Sequence, residues 1–249
     1  MPRAEVSIRT RDGHCPSSVF TPAVGAGPRP GVIFFMDGLA IRPVLWEMGQ
    51  RLADGGYVVL LPDLFYRSGP YPPMAPAQVF SDPKAREGLM KMIGTLDREK
   101  KVSDAGAFIE FLSRRDDVAG ERLGATGYCM GGNCALLAAG AYPDRFAAVA
   151  SFHAGSLVTD KPDSPHRFLK GITGRVYVAG AIEDQHFTEE QKGRLEQALE
   201  DAGVAYTVET YPARHGFTMK DAPVYDEAAA ERHWTALFTL LRETLQAAR

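Results

Sequence analysis

Leu123-Gly124-Ala125-Thr126-Gly127-Tyr128-Cys129-Met130-Gly131-Gly132 is the stretch on which the reading of this chain turns. Leu123–Tyr128 predicts a short strand. It runs straight into Cys129, and an Ala- and Leu-rich tract to about Ala141 predicts a helix. Residues 127–131 fit G-x-C-x-G, the cysteine form of the sharp strand-to-helix turn written G-x-S-x-G. At such a turn the residues two before and two after the centre come very close, so neither tolerates a large Cβ substituent. The turn lifts Cys129 above the sheet edge. It also sets the thiol at a helix N-terminus, where the positive end of the dipole favours thiolate. Cys129 is therefore the candidate nucleophile, and the bland alternative is a buried structural cysteine.

On both sides of this stretch, strand-like and helix-like segments alternate. Val6–Thr10 alternates apolar and polar residues, an edge-strand pattern. Gly31–Met36, Tyr57–Pro62, Phe146–Phe152 and Gly174–Gly180 read as strands buried on both faces. Val204–Tyr211 reads as a last strand. Helical spacing marks Leu45, Met48 and Leu52, then residues 84–96, then Val102 to Leu112. It returns in Leu195 to Ala202 and in a C-terminal stripe of Trp234, Leu237, Phe238, Leu241 and Leu245. Residues 66–83, with Arg67-Ser68-Gly69-Pro70-Tyr71-Pro72-Pro73, break any period. The alternation predicts an α/β fold with a doubly wound, mostly parallel sheet flanked by helices, and no linker divides residues 1–249, so a single domain is expected.

The 249 residues carry 28 basic and 31 acidic side chains, a net charge of −3, with 45% hydrophobic residues. That balance excludes a disordered chain and does not suggest a nucleic-acid binder. No apolar run approaches the roughly 18 residues of a spanning helix, so no membrane association is expected. Met1-Pro2-Arg3-Ala4-Glu5 lacks the apolar core of a secretory signal. With three cysteines and no CxxC pair, a reducing, cytoplasmic setting is expected. No metal site is expected. Cys134 reads as a small core residue, and Cys15 sits in an early turn beside Pro16 with no assigned role.

A thiol nucleophile needs a base, and the base an orienting acid. In sheets of this kind, sites lie at the carboxyl ends of strands. His215, in Tyr211-Pro212-Ala213-Arg214-His215-Gly216-Phe217, follows a strand and is the candidate base. Glu183 and Asp184 both follow the strand ending at Gly180, and Asp184 is favoured. His153 ends another strand and is a possible substrate contact, as are Tyr128 and Met219. His14, His166 and His233 read as surface or packing residues. His186 lies too near the acid in sequence to be the distant base. Met130 N–H and Gly38 N–H are the candidate oxyanion donors, with Leu39 the alternative to Gly38. Asp37 should repel an oxyanion unless it has another partner, such as the Cys129 thiol.

From about Gly31 onward the chain resembles the dienelactone hydrolase family of α/β-hydrolases. The resemblance rests on Gly-Tyr-Cys-Met-Gly-Gly at 127–132, Pro62-Asp63-Leu64-Phe65-Tyr66, and Tyr211-Pro212 through His215-Gly216-Phe217. It implies a Cys–His–Asp triad at Cys129, His215 and Asp184. It further implies a cofactor-free, cytoplasmic enzyme, a monomer or at most a weak dimer. Such an enzyme opens an enol-lactone through an acyl-enzyme and releases a keto acid. Two positions depart from the family pattern. Asp37 stands where the family has a glutamate that holds the resting thiol. Met219 stands where an arginine would bind a substrate carboxylate; Arg86 is a weak candidate for the family's other arginine, and Lys220 a substitute cation. A carboxylesterase or thioesterase acting on less charged substrates is the alternative. From other classes come a non-catalytic binding protein of this fold and a thiol redox sensor.

Overall fold

Strands apolar on both faces must be covered on both faces, and helices do this in the computed structural model, which describes residues 3–25, 27–72 and 74–246. Met1, Pro2 and Pro73, used above, lie outside the described residues. Eight strands form one sheet in the order β1-β2-β4-β3-β5-β6-β7-β8. They are β1 (Arg3–Thr10), β2 (Gly13–Phe20), β3 (Arg29–Phe35), β4 (Val58–Pro62), β5 (Val118–Tyr128), β6 (Phe146–Phe152), β7 (Arg175–Ala181) and β8 (Tyr206–Tyr211). Strands β3 to β8 are mutually parallel, and β1 and β2 add an antiparallel edge. The expected doubly wound, mostly parallel architecture is present.

From β3 the chain passes to β4 on one side, and later returns to place β5 on the other. The order reverses between β3 and β5. At such a switch point the two loops leaving the strand ends diverge and open a crevice. Asp37 and Gly38 follow β3 and Cys129 follows β5, so both flank that crevice.

The helices are α1 (Pro43–Asp54), α2 (Pro76–Ser81), α3 (Pro83–Gly94), α4 (Arg98–Ser113), α5 (Met130–Ala141), α6 (Glu189–Asp201) and α7 (Glu227–Leu241). Helix α5 is buried from Met130 to Ala139. Its Ala, Gly and Leu residues let it lie against β5, β6 and α4 without crowding. The α6 N-terminus is closed by a capping box between Thr188 and Gln191, which satisfies donors that a helix start leaves open. Among the described residues no helix is long and apolar enough to cross a membrane.

Two expectations are corrected here. Cys15 is not in a turn: it lies in β2, fully buried, with Ile8 opposite it. Pro16 breaks the alternation that would have announced this strand, yet its carbonyl still accepts a hydrogen bond from Asp63 N–H. Strand β5 also begins at Val118 rather than Leu123; its exposed first half, paired with Arg29 and Pro30, lacks the apolar signature of the buried half. Within the irregular stretch 66–83, α2 and a short 3-10 turn at 66–68 are ordered by prolines and backbone bonds.

Candidate active site

The turn at Cys129 has the geometry its glycines predict. Cys129 sits at φ 52°, ψ −117°, a conformation L-residues rarely adopt. Its N–H donates to Phe152 C=O at 3.0 Å, which pins it to β6. A Cβ on Gly127 would fall 2.0 Å from Gly131 O, and one on Gly131 would fall 2.2 Å from Phe35 O. Backbone lies on both sides of each glycine, so nothing can shift aside. Cys129 is partly exposed, whereas Cys15 and Cys134 are buried. Met130 opens α5, so its N–H is among those the helix itself leaves without a partner.

Asp184 leaves the end of β7 and His215 the end of β8. Ile182 N–H donates to both Tyr211 O and Ala213 O at 3.0 Å, holding the two strand ends together. The His215 Nδ1–H donates to Asp184 Oδ2 at 2.7 Å, and His186 N–H donates to Asp184 Oδ1 at 2.8 Å. Glu183 is exposed, with a positive φ of 54°. Of the two acids, the fold brings Asp184 to the imidazole. The Cys129 thiol lies beside the same ring, near enough to raise its pKa. Burial works against charge on His215, but its bond to Asp184 and the neighbouring Cys129 sulfur outweigh that and push its pKa up to about 10. Burial likewise works against charge on Asp184, yet His215 and the His186 N–H hold the carboxyl below its usual range.

The expected Asp37–thiol contact is corrected. Both Asp37 oxygens are held by the buried Arg42 guanidinium, Oδ1 by Nη1 at 2.7 Å and Oδ2 by Nη2 at 2.8 Å. A shorter acid anchored this way is committed to a cation that counters its charge beside the crevice. Oδ1 also accepts from Leu39 N–H at 3.0 Å, which removes Leu39 as the free donor. Gly38 N–H has no hydrogen-bond partner among the described residues. The Ile93 side chain from α3 lies close by, 3.1 Å from where a Gly38 Cβ would stand.

A family profile for the dienelactone hydrolases matches residues 17–245. The chain belongs to the dienelactone hydrolase family. A carboxymethylenebutenolidase of Pseudomonas putida is 28% identical over 188 residues, covering 74% of this chain and 76% of the relative. A solved structure named m3DLH is 26% identical with a TM-score of 0.80, over 97% of this chain and 98% of that one. A dienelactone hydrolase-like promiscuous phosphotriesterase from metagenomic libraries shares the fold, at 24% identity and TM-score 0.75, over 98% and 99% of the two chains. The fold is that of the α/β-hydrolases, and this dienelactone hydrolase family member is a hydrolase of the ester and lactone class.

Within this dienelactone hydrolase fold, three expected substrate contacts point elsewhere. Tyr128, His153 and Met219 are each about 1% exposed. The Tyr128 ring stacks on Phe152, and its hydroxyl meets His233 Nε2 at 2.9 Å. His153, at φ 39°, bonds Thr218 Oγ1 at 2.7 Å through Nε2 and packs edge-on against His215. Its buried ring thus lies against the back of His215. Met219 lies in the core, and Lys220 after it is exposed. Arg86 lies on the exposed side of α3. Two neighbours of the site had gone unnoticed. His186 packs its ring edge-on against His215 at 5.4 Å between centroids, although closeness in sequence argued against it. Arg42 carried one faint signal, a charged residue directly before the Pro43 that opens a helix.

Proposed function

We propose that this chain hydrolyses carboxylic esters or lactones through a thioester acyl-enzyme on Cys129. The observation that carries the reading is one imidazole, His215, hydrogen-bonded to Asp184 and set beside the Cys129 thiol, which raises its pKa. The Cys129 sulfur forms a bond to the substrate carbonyl carbon. The carbonyl electron pair moves to oxygen, where Met130 N–H and Gly38 N–H stabilise it. Collapse expels the alkoxide, which takes its proton from the His215 imidazolium. In the second half-reaction His215 removes a proton from water. Hydroxide replaces sulfur at the acyl carbon, and the thiolate returns to its pair with imidazolium. Asp184 keeps the Nδ1 proton in place throughout.

The test is p-nitrophenyl acetate hydrolysis by Cys129→Ala, with mass spectrometry of the wild type quenched in turnover. Hydrolysis is expected to vanish in a folded variant, and acetyl to appear on the Cys129 peptide. Full turnover by folded Cys129→Ala rules the mechanism out. The acyl side of the substrate is proposed to be uncharged, because the position two after Phe217 holds a buried methionine instead of a cation. A lost charge-assisted contact of about 1.5–3 kcal/mol corresponds to roughly ten- to hundredfold. A carboxylate-bearing lactone should therefore be a poorer substrate than its methyl ester by kcat/KM. A strong preference for the free acid would mean that another cation, such as Lys220, serves the site.

A further inference from the structure

Arg42 precedes α1 and is 4% exposed. All five of its N–H groups are spoken for. Nη1 and Nη2 grip Asp37; Nη1 also donates to Ala40 O at 3.1 Å; Nε reaches Asp221 Oδ2 at 2.6 Å and Nη2 reaches Asp221 Oδ1 at 3.3 Å. Asp37 and Ala40 bracket Gly38 and Leu39, the loop that leaves β3. Ala40 has φ 68°, a strained value for alanine, and its carbonyl is one the guanidinium holds. Asp221 belongs to the loop that follows His215, itself folded by Met219 N–H to Gly216 O and Ala222 N–H to Met219 O. One cation thus ties the β3 loop, strained backbone included, to the loop that carries the histidine.

We infer that Arg42 is a positioning residue that sets the Gly38 N–H toward the oxyanion and locks the β3 loop to the histidine loop. The inference rests on the acyl-enzyme reading above, because it assigns Arg42 an effect only where charge develops on a carbonyl oxygen. A planar fork bonded to two carboxylates and a carbonyl fixes direction as well as distance, which an ammonium cannot do. Pairing Asp37 with the guanidinium has a second consequence. The carboxylate can border a site of developing negative charge while opposing it less than a free aspartate would.

Two reactions of the same thiol separate this role from a general structural one. Hydrolysis of p-nitrophenyl acetate needs both thiolate and oxyanion donors. Methyl methanethiosulfonate needs only the thiolate: the Cys129 sulfur bonds the S-methyl sulfur, and methanesulfinate leaves with the electron pair of the broken S–S bond. The buried Cys15 and Cys134 do not compete. Arg42→Lys is expected to lower kcat roughly 10- to 100-fold, the cost of a misplaced donor, with KM and the thiosulfonate rate nearly unchanged. Asp221→Asn, at a partly exposed position, leaves one acceptor oxygen and no charge, so it weakens only the link to the histidine loop and should lower kcat by a few-fold in the same selective way. It decides the matter if Arg42→Lys does not fold. An equal fall in both reactions, or no fall in kcat in a folded variant, overturns the assignment. Wild-type hydrolysis that survives complete labelling of Cys129 would instead sink the acyl-enzyme reading.

Discussion

Asp184 and Glu183 are adjacent in sequence and opposite in circumstance. Asp184 is buried against His215, while Glu183 points to solvent on a left-handed residue. Removing the Asp184 charge leaves an amide that can present its NH2 to Nδ1 and favour the wrong tautomer. Asp184→Asn is therefore expected to lower kcat/KM for p-nitrophenyl acetate by roughly 10²–10⁴-fold, and Glu183→Gln by far less. The reverse order would move the acid to Glu183. Residue types in chain order were enough to nominate Cys129, Asp184 and His215 as a set. They could not say that Asp37 is bound to Arg42, because that pairing depends on how the β3 loop folds back on itself.

At the scale of elements, the turn from β5 into α5 concentrates the steric demand of the site. Gly131 is confronted by Phe35 O and Met36 O at 2.2 and 2.4 Å from a would-be Cβ. Gly131→Ala must push β3 and α5 apart. It should destabilise the fold by at least the ~1–3 kcal/mol of an overpacked core, and reduce activity in whatever folds. A urea titration alongside the esterase assay checks both; wild-type stability and turnover would mean that the turn relaxes without cost. The buried strands β3, β4, β6 and β7 and the buried half of β5 were legible from their apolar runs, and the amphipathic helices from their spacing. Strand β2 was not, since Pro16 and three polar neighbours hide its period, and it is held by pairing on both sides to β1 and β4.

For the whole molecule, pH dependence is set by histidines the fold buries. His233 is fully buried, with Nδ1–H donating to Ala230 O and Nε2 accepting from the Tyr128 hydroxyl. Burial drives its pKa down to about 3. The unfolded chain thus binds the extra proton near pH 6.5 and the folded one does not until about pH 3. Stability is present above pH 6.5 and is lost as pH falls toward 3, by a few kcal/mol in all. Buried His153 acts in the same direction. His215 acts oppositely: its raised pKa stabilises below pH 6.5, and that contribution fades as pH rises toward about 10. Urea midpoints at pH 7 and pH 5 should fall less in His233→Gln than in wild type. Equal falls would show that His233 does not govern the acid limb.

Local chemistry is written into a sequence wherever a residue type is required by its immediate neighbours. The glycines of the Cys129 turn, the apolar runs of the parallel strands and the order of nucleophile, acid and base are of this kind. The direction of a side chain is not, because it depends on which distant segment arrives beside it. Tyr128 turns to His233, His153 to Thr218 and Arg42 to Asp221, partners separated by 105, 65 and 179 residues. No local pattern encodes those meetings. They follow from sheet order and helix packing, which bring the carboxyl ends of the parallel strands β3, β5, β7 and β8 to one side of the sheet and so choose, among the charged and aromatic side chains gathered there, those that touch.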